Sequence, residues 1–301
     1  MRAVDGVDVN ISRKEVVGLV GETGCGKTCT ALSVMRLIRP PGKIVAGEIL
    51  FEGRDLLSIS EEDMRTLRGS KIAMMFQNPA VALNPAFKVG DQIVETIMLH
   101  QHMSKENATQ EAERYLKDMG IPSPHERLSD YPYEFSIGMR QRIMIAIALS
   151  CHPSLLIADE PTTGLDVTVQ AQILDLLTGL KVNHDMSILY ITHNLGVVAQ
   201  ISDKVGVMYA GNIVEFGDVR SIFHRCRHPY TEGLVRAIPK LSSNEKLTEI
   251  PGFVPSLIDL PPGCPFVDRC YRAQPTCKAQ HPALVEIEPG HFVACHFPLE
   301  R

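Results

Sequence analysis

Residues 21–28 form the segment with the clearest chemical pattern in this sequence. They read Gly21, Glu22, Thr23, Gly24, Cys25, Gly26, Lys27 and Thr28, which fits GxxxxGK[ST]. Glycines at this spacing let successive backbone N–H groups turn toward one anion, and the lysine and hydroxyl reach phosphates and Mg²⁺. A chance glycine turn is the plain alternative, but a strand-like run precedes the segment and a helix-like run follows it. We therefore expect residues 21–28 to bind phosphate.

Two adjacent acids follow an apolar run later in the chain. Leu155–Ala158 reads as a buried strand, and Asp159 and Glu160 come directly after it. A carboxylate at the end of such a strand can hold the water shell of Mg²⁺, and its neighbour can polarise an attacking water. Taken alone, adjacent acids are more often a solvated turn or a helix cap. Together with a phosphate loop, they predict phosphoryl transfer to water.

The elements that would position these residues alternate between strands and helices. An apolar run over Glu15–Val20 precedes the loop, and a helical pattern over Lys27–Leu37 follows it. The later apolar and helical runs are the strands Leu155–Ala158, Ser187–Ile191 and Val205–Met208 and the helix Val167–Leu180. Short apolar strands separated by helices are typical of a mostly parallel sheet in an α/β fold.

Two stretches of the sequence depart from this alternation. From about residue 88 to residue 150 helical patterns dominate, at Val89–His102, Lys105–Met119 and Met139–Leu149, and they predict an inserted helical subdomain. After Pro239 the chain is rich in proline, glycine and cysteine and has little apolar periodicity. The predicted segments are an ATPase-type core at 1–87 and 151–239, a helical subdomain at 88–150 and a C-terminal extension at 240–301.

Charge and hydropathy exclude two classes of protein. The 30 basic and 35 acidic residues give a net charge of −5 without a basic block, so nucleic acid is not an expected partner. The longest apolar runs, such as Ile143–Leu149, are far shorter than the roughly 20 residues that cross a membrane. The first residues lack the apolar core and cleavage site of a secretory signal. We expect a cytosolic protein.

Four of the eight cysteines crowd the extension. Cys264, Cys270, Cys277 and Cys295 have the spacing C-x5-C-x6-C-x17-C. In a cytosolic protein such a group is more often a metal site than a pair of disulfides, and four thiolates can enclose zinc or an iron–sulfur cluster. Free structural thiols are the third alternative. Nearby histidines at 281, 291 and 296 are expected to be solvated rather than to act as ligands.

With these motifs in place, the chain resembles the nucleotide-binding subunits of ABC transporters, which hydrolyse ATP. The resemblance implies that Gln77, in MMFQNPAVALNP, meets Mg²⁺ and that His193, in YITHNLGVV, contacts the γ-phosphate. It implies that Ser136 and Gly138 belong to a signature loop that closes over a partner's ATP, and that Asp166 belongs to the D-loop. The catalytic residues expected on this basis are Glu160, His193 and Gln77. The expected Mg²⁺ ligands are Thr28, Gln77 and Asp159.

The amino-acid sequences of several segments narrow the resemblance to ATPase subunits of oligopeptide and dipeptide permeases. These segments are QNPAVALNPAFKVGDQI, PTTGLDVTVQAQIL, HPYTEGL and the cysteine tail. The resemblance implies a second ATPase subunit, identical or different, two transmembrane permease subunits and an extracytoplasmic peptide-binding protein. It places the chain on the cytoplasmic face of the membrane. It also favours a 4Fe-4S cluster over zinc on the four cysteines.

Two features depart from the family pattern. Residues 1–20 contain no aromatic side chain that could stack on adenine, and we expect a shortened sequence to explain this. Ile137 stands where the signature normally has a glycine, which permits backbone angles or a close approach that a β-branched side chain resists. We expect an impaired but functional signature loop.

Three alternative functions remain open from the sequence. The chain could serve a nickel or other small-solute importer, act as a soluble ABC-type ATPase, or bind nucleotide without hydrolysing it. The single uninterrupted cassette and the mild acidity favour the peptide transporter over the soluble ATPase. We further expect the extension to depend on its metal for folding, and to lie far enough from residues 21–28 that metal loss leaves ATP binding intact.

Overall fold

The computed structural model describes residues 1–183, 185–238, 249–258 and 260–300. The predicted boundary between core and extension at 239/240 lies outside these residues. The strands are β1 Val16–Val20, β2 Leu50–Phe51, β3 Arg54–Asp55, β4 Ile72–Met75, β5 Leu155–Asp159, β6 Ser187–Thr192, β7 Lys204–Tyr209, β8 Asn212–Asp218, β9 Val285–Glu288 and β10 His291–Val293. The helices are α1 Lys27–Val34, α2 Glu61–Leu67, α3 Pro79–Ala82, α4 Val89–Gln101, α5 Lys105–Asp118, α6 Pro124–Arg127, α7 Ile137–Leu149, α8 Val167–Asn183, α9 Leu195–Ile201, α10 Val219–His224, α11 Pro229–Arg236 and α12 Pro275–Ala279.

Eight strands form one sheet in the order β4-β5-β6-β1-β7-β8-β10-β9. The first five strands are parallel to one another, whereas β8 runs antiparallel to β7, β10 to β8 and β9 to β10. β1 and β6 are buried along their whole length, because parallel strands lie between two layers of helices and need apolar side chains on both faces. The four strands predicted from apolar runs are all in this sheet.

Between β4 and β5 the chain is fully described and contains helices without a strand. α4, α5 and α7 pack together through buried side chains that include Ile93, Leu116 and Ile143. Serine caps fix where two of these helices begin, since the Ser104 and Ser136 hydroxyls accept hydrogen bonds from backbone N–H groups in the first turn. This helical region agrees with the predicted helices.

The C-terminal extension adds two short strands that we did not predict. β10 pairs with β8, with Phe292 opposite Phe216 and Val293 opposite Glu215, and β9 continues the sheet. This pairing covers the edge of β8, which would otherwise expose unpaired backbone groups. Strands of three and four residues are too short for an alternating pattern to stand out in a turn-rich sequence. Within the described residues, no helix is long and apolar enough to cross a membrane.

Candidate nucleotide-binding and hydrolysis site

The phosphate loop connects β1 to α1 in the predicted order, and two of its glycines have no room for a side chain. A Cβ at Gly21 would lie 2.1 Å from the carbonyl oxygen of Met208. A Cβ at Gly26 would lie 2.3 Å from the carbonyl oxygen of Ala3, and this glycine has a φ of 109°. The loop can therefore pass under these backbone segments only where side chains are absent.

Lys27 fills the curve of the loop. Its side chain is buried, and its Nζ donates hydrogen bonds to the carbonyl oxygens of Gly21 at 2.8 Å and Glu22 at 3.1 Å. Burial raises the pKa of the neighbouring Cys25 thiol and keeps it neutral. The ammonium is thus a localised positive charge at the N-terminus of α1, where the backbone also favours an anion.

Asp159 and Thr28 meet at the carboxyl end of β5. Asp159 is 2% exposed, and burial raises its pKa, although a hydrogen bond from Thr28 opposes the shift. Its Oδ1 atom is buried without a hydrogen-bond partner among the described residues. An unpaired buried acceptor costs about 1–3 kcal/mol, and a bound cation would offset that cost. The pair therefore fits the oxygen donors that Mg²⁺ prefers.

The structure brings Gln77, Glu160 and His193 together from three distant parts of the chain. Gln77 Nε2 donates to Glu160 Oε2 at 2.8 Å, and His193 Nδ1 lies 3.0 Å from Glu160 Oε1. The hydroxyl of Thr163, which the sequence reasoning missed, also donates to Glu160 Oε2 at 2.9 Å. Glu160 itself has a φ of 49°, and its N–H donates to the Ile191 carbonyl at 2.8 Å. These bonds hold the carboxylate in one orientation.

The charge of Glu160 follows from the same contacts. Its side chain is 11% exposed, and this burial alone would raise the pKa, but the hydrogen bonds from His193 and Thr163 outweigh it and lower the pKa. The carboxylate is therefore ionised at neutral pH. The positive charge of Lys27 also lowers the pKa of Glu160, so this carboxylate interacts electrostatically with the phosphate loop.

Ser136, Gly138 and Asp166 lie together at the start of two helices. Ser136 is exposed and caps α7, whereas Asp166 Oδ1 accepts from the Val169 N–H at 2.9 Å and caps α8. A Cβ at Gly138 would lie 2.8 Å from Val169 Cγ1, so the two helix starts are in close contact. Among the described residues, no hydrogen bond or ion pair joins these three residues to residues 21–28 of the same chain.

Ile137 is the first residue of α7, and the residue is 56% exposed. The helical backbone at this position needs no glycine, so the first of our two reasons for expecting impairment is wrong. The second reason, a bulky side chain where a partner would approach closely, is compatible with this exposure.

Contrary to expectation, the extension reaches the phosphate loop. The Arg269 guanidinium forms an ion pair with the Glu22 carboxylate, with 2.6 Å between Nη1 and Oε2. Our prediction that the extension lies far from residues 21–28 is therefore wrong. A pairing across 247 positions leaves no signal in a single sequence.

The four cysteines of the extension line one small, largely enclosed cavity and form no disulfides. The N–H of Cys264 donates to the Cys277 carbonyl at 2.7 Å. Burial, reinforced by the other thiols, raises the pKa of Cys264 and Cys295 to about 11. In the described parts of the chain, no three His, Cys, Asp or Glu side chains stand in an arrangement that could hold a metal ion.

The histidines near these cysteines differ in their surroundings. His291 is 2% exposed, and its Nε2 lies 2.8 Å from the buried Glu215 carboxylate, so the expectation that it is solvated is wrong. The strand pairing of β10 with β8 places it there. His296 Nε2 lies 2.9 Å from the Gln280 carbonyl, and His281 is exposed.

Three features together define an ATP-binding cassette. They are the phosphate loop after β1, the acid pair Asp159 and Glu160 at the end of β5, and the contacts of Gln77 and His193 with the Glu160 carboxylate. The sequence pattern of the family described as "ABC transporter" matches residues 4–163, and "Oligopeptide/dipeptide transporter, C-terminal region" matches residues 214–277. The fold is similar to the ATP-binding cassette MJ0796 bound to ADP and Pi, with a TM-score of 0.65 and 24% identity over 72% of this chain and 91% of that one. CbiO1 of Clostridium perfringens gives a TM-score of 0.62 and 25% identity over 74% and 84% of the two chains.

Curated relatives match over nearly the whole chain. The dipeptide transport ATP-binding protein DppD of Escherichia coli is 47% identical over 99% of this chain and 92% of its own length. DppD of Bacillus subtilis is 48% identical over 100% of this chain and 90% of its own length. The oligopeptide transport ATP-binding protein OppD of the same organism is 48% identical over 97% of this chain and 83% of its own length. This chain belongs to the ABC transporter family, among the peptide-transport ATP-binding proteins.

Proposed function

We propose that this chain is the ATP-binding and hydrolysing subunit of an ABC importer and couples hydrolysis to the uptake of dipeptides or oligopeptides. The observation that carries the ATPase activity is the convergence of Gln77 and His193 on the ionised Glu160 carboxylate. The peptide specificity is supported by relatives at 47–48% identity that are named for dipeptide and oligopeptide transport.

Each residue of the site has a role in this proposal. The backbone N–H groups of residues 21–28 and the Lys27 ammonium bind the phosphates. Thr28, Asp159 and Gln77 would hold Mg²⁺, which neutralises charge on the phosphates when bound. Glu160 accepts a hydrogen bond from the attacking water and aligns it with the γ-phosphate.

His193 orients the Glu160 carboxylate and stands beside the γ-phosphate. Its side chain is 52% exposed, which leaves it open toward a bound nucleotide. Since little covalent chemistry is required of the protein in phosphoryl transfer, this positioning supplies most of the rate enhancement.

The assembly that we propose contains a second ATPase subunit, identical or different, and two transmembrane permease subunits. Ser136 and Asp166 are exposed beside the start of α7 and would complete the nucleotide site of the second ATPase subunit. An extracytoplasmic peptide-binding protein delivers the peptide, and this chain binds to the cytoplasmic face of the membrane. The permease partners are supported by the relatives, which are named for transport.

We also propose that Cys264, Cys270, Cys277 and Cys295 hold a 4Fe-4S cluster, with zinc as the alternative. The support is the donor set: four soft sulfur ligands line one cavity, in free rather than disulfide-bonded cysteines. Their side chains would have to draw closer together to hold the cluster, because they do not stand in a metal-binding arrangement in the described structure. The cluster would cross-link the loops that carry the cysteines.

The ATPase proposal is tested with Glu160→Gln and Lys27→Ala in the assembled transporter. Glu160→Gln keeps the shape of the side chain, so we expect ATP binding to persist while hydrolysis slows by at least about a hundredfold. Lys27→Ala should instead abolish tight ATP binding, because the charge on the phosphates loses its partner. Undiminished turnover in Glu160→Gln would remove Glu160 from the catalytic role and leave a nucleotide-binding protein with different chemistry.

A further inference from the structure

A bidentate ion pair joins the extension to the phosphate loop. Arg269 Nη1 lies 2.6 Å from Glu22 Oε2, and Arg269 Nη2 lies 3.0 Å from Glu22 Oε1. Parallel contacts of this kind fix the orientation of both groups as well as their charge. The second residue of the phosphate loop is therefore held by a residue that lies outside the ATPase core.

Arg269 is itself rigidly placed. Its residue is 7% exposed, its Nε donates to the Pro251 carbonyl at 2.9 Å and its Nη2 donates to the Ile250 carbonyl at 3.3 Å. Its guanidinium carbon lies 5.8 Å from the centre of the Tyr209 ring, on the last residue of β7. An arginine constrained on several sides loses little further entropy when it pairs with Glu22, so the ion pair is preorganised.

Glu22 in turn connects Arg269 to the lysine that would bind phosphate. Its carboxylate faces Arg269, its N–H donates to Tyr230 Oη at 3.1 Å and its carbonyl accepts from Lys27 Nζ at 3.1 Å. A movement of Glu22 would therefore change the surroundings of the Lys27 ammonium.

The position of Arg269 depends on a short turn between two cysteines. The N–H of Val267 donates to the Cys264 carbonyl at 3.0 Å, and the N–H of Cys270 donates to the Val267 carbonyl at 3.4 Å. Arg269 is the last residue of the 3₁₀ turn Val267–Arg269 within this segment. The backbone that carries the guanidinium is therefore closed on itself from Cys264 to Cys270.

We propose that Arg269 is a positioning residue for ATP binding and acts through Glu22. The inference rests on the proposed function, since it requires that residues 21–28 bind ATP. A carboxylate on a loop that binds a polyanion repels the ligand unless a cation compensates it. Arg269 neutralises Glu22 and holds its side chain toward the extension. The extension is thus part of the nucleotide-binding machinery.

Titration calorimetry of the purified full chain with Mg-ATP tests this role. Arg269→Gln leaves the Glu22 carboxylate unpaired beside the phosphates, and we expect Kd for ATP to rise about tenfold. Lys278→Gln is the matched control, because Lys278 is a cation exposed on the same extension and does not line the cysteine cavity. It should leave Kd within about twofold of the wild-type value.

A double variant separates the charge effect from a general loss of structure. Glu22→Gln with Arg269→Gln removes both charges, so we expect it to regain most of the affinity that Arg269→Gln loses. Arg269→Lys keeps the charge without the bidentate geometry and should bind ATP more tightly than Arg269→Gln. If Arg269→Gln does not fold, both variants are compared with the wild-type chain instead, and each should bind ATP with a Kd within about threefold of the wild-type value.

Two results would overturn this inference and leave the proposed function standing. One is unchanged ATP affinity in Arg269→Gln, and the other is an equal loss of affinity whether residue 22 is Glu or Gln, which would mean a merely structural role. Failure of the wild-type chain to bind Mg-ATP at all would instead overturn the proposed function, and this inference with it.

Discussion

Glu160 accepts hydrogen bonds on both carboxylate oxygens, and this arrangement decides its protonation state. Gln77 and Thr163 donate to Oε2, while His193 lies beside Oε1. Burial would raise the pKa of the carboxylate, but the hydrogen bonds from His193 and Thr163 outweigh it and hold the pKa below its ordinary value. Glu160 therefore remains available to a water molecule throughout the neutral and mildly acidic range.

Removing one of these donors should change how hydrolysis depends on pH. In Thr163→Val the hydrogen bond that favours the charged carboxylate is lost, so the pKa of Glu160 rises. A carboxylate with a higher pKa takes up a proton at a higher pH, so the acid limb of the kcat profile should shift to higher pH. The measurement is kcat against pH at saturating ATP.

Thr178→Val provides the matched control for that experiment. Its hydroxyl donates to the Leu174 carbonyl within α8, at 2.9 Å, and takes no part in the site. An acid limb that stays in place in Thr163→Val, or moves to lower pH, would contradict the account of Glu160.

At this scale the sequence predicted residues that stand next to one another in a motif. The phosphate loop and the Asp159–Glu160 pair were read from local spacing, whereas Gln77 and His193 entered only through a family resemblance. Thr163 was missed because a threonine three residues after a glutamate is unremarkable in sequence. Its contact depends on the left-handed turn at Glu160, with a φ of 49°.

At the scale of elements, the starts of α7 and α8 form one exposed surface. Ser136 caps the first helix and Asp166 caps the second, and Gly138 allows the two to approach closely. Ile137 projects from the same place with 56% of its surface exposed. We propose that this surface contacts the nucleotide of a second ATPase subunit.

A smaller residue at 137 should therefore help the assembled transporter. We expect Ile137→Gly to raise its steady-state ATPase rate about threefold, which corresponds to about 0.6 kcal/mol in the barrier, because less bulk separates α7 from the partner's nucleotide. Glycine also costs about 1 kcal/mol in a helix, so the melting temperature must be compared. Ile137→Ala, which keeps helix propensity, should give an intermediate rate. An unchanged or lower rate in both variants would make Ile137 a neutral substitution.

The elements that could be predicted from the sequence are the strands formed by apolar runs and the long helices. The strands β1, β5 and β6 consist mostly of apolar residues, and α5 ends within one residue of its predicted end. β9 and β10 were missed because each is shorter than the window that reveals alternation. Their strand conformation is set by pairing with β8, which is a tertiary effect.

At the scale of the whole molecule, the extension is bound to the core by contacts that involve no cysteine. β10 pairs with β8, the buried His291 lies against Glu215, and Arg269 binds Glu22. The expectation that the extension stays loose without a metal is therefore too strong. The proposed cluster would cross-link only the loops that carry Cys264, Cys270, Cys277 and Cys295.

Protein purified without oxygen should accordingly be brown and absorb broadly near about 400 nm, as iron–sulfur proteins do. Serine at any one of the four extension cysteines should remove both the colour and the iron. Cys151→Ser, outside the extension, should leave both unchanged. One zinc and no iron per chain would replace the cluster with a structural zinc site, and the absence of both metals would reject the metal proposal.

The measurement that tests the central claim most directly is ATP hydrolysis by the complete transporter in lipid vesicles. The complex that we propose contains this chain, a second ATPase subunit, two permease subunits and the peptide-binding protein. We predict that hydrolysis rises when the binding protein carries a peptide and that Glu160→Gln abolishes this rise. A rate of ATP hydrolysis that is the same with and without peptide, or that rises with nickel instead, would contradict the assignment to peptide import.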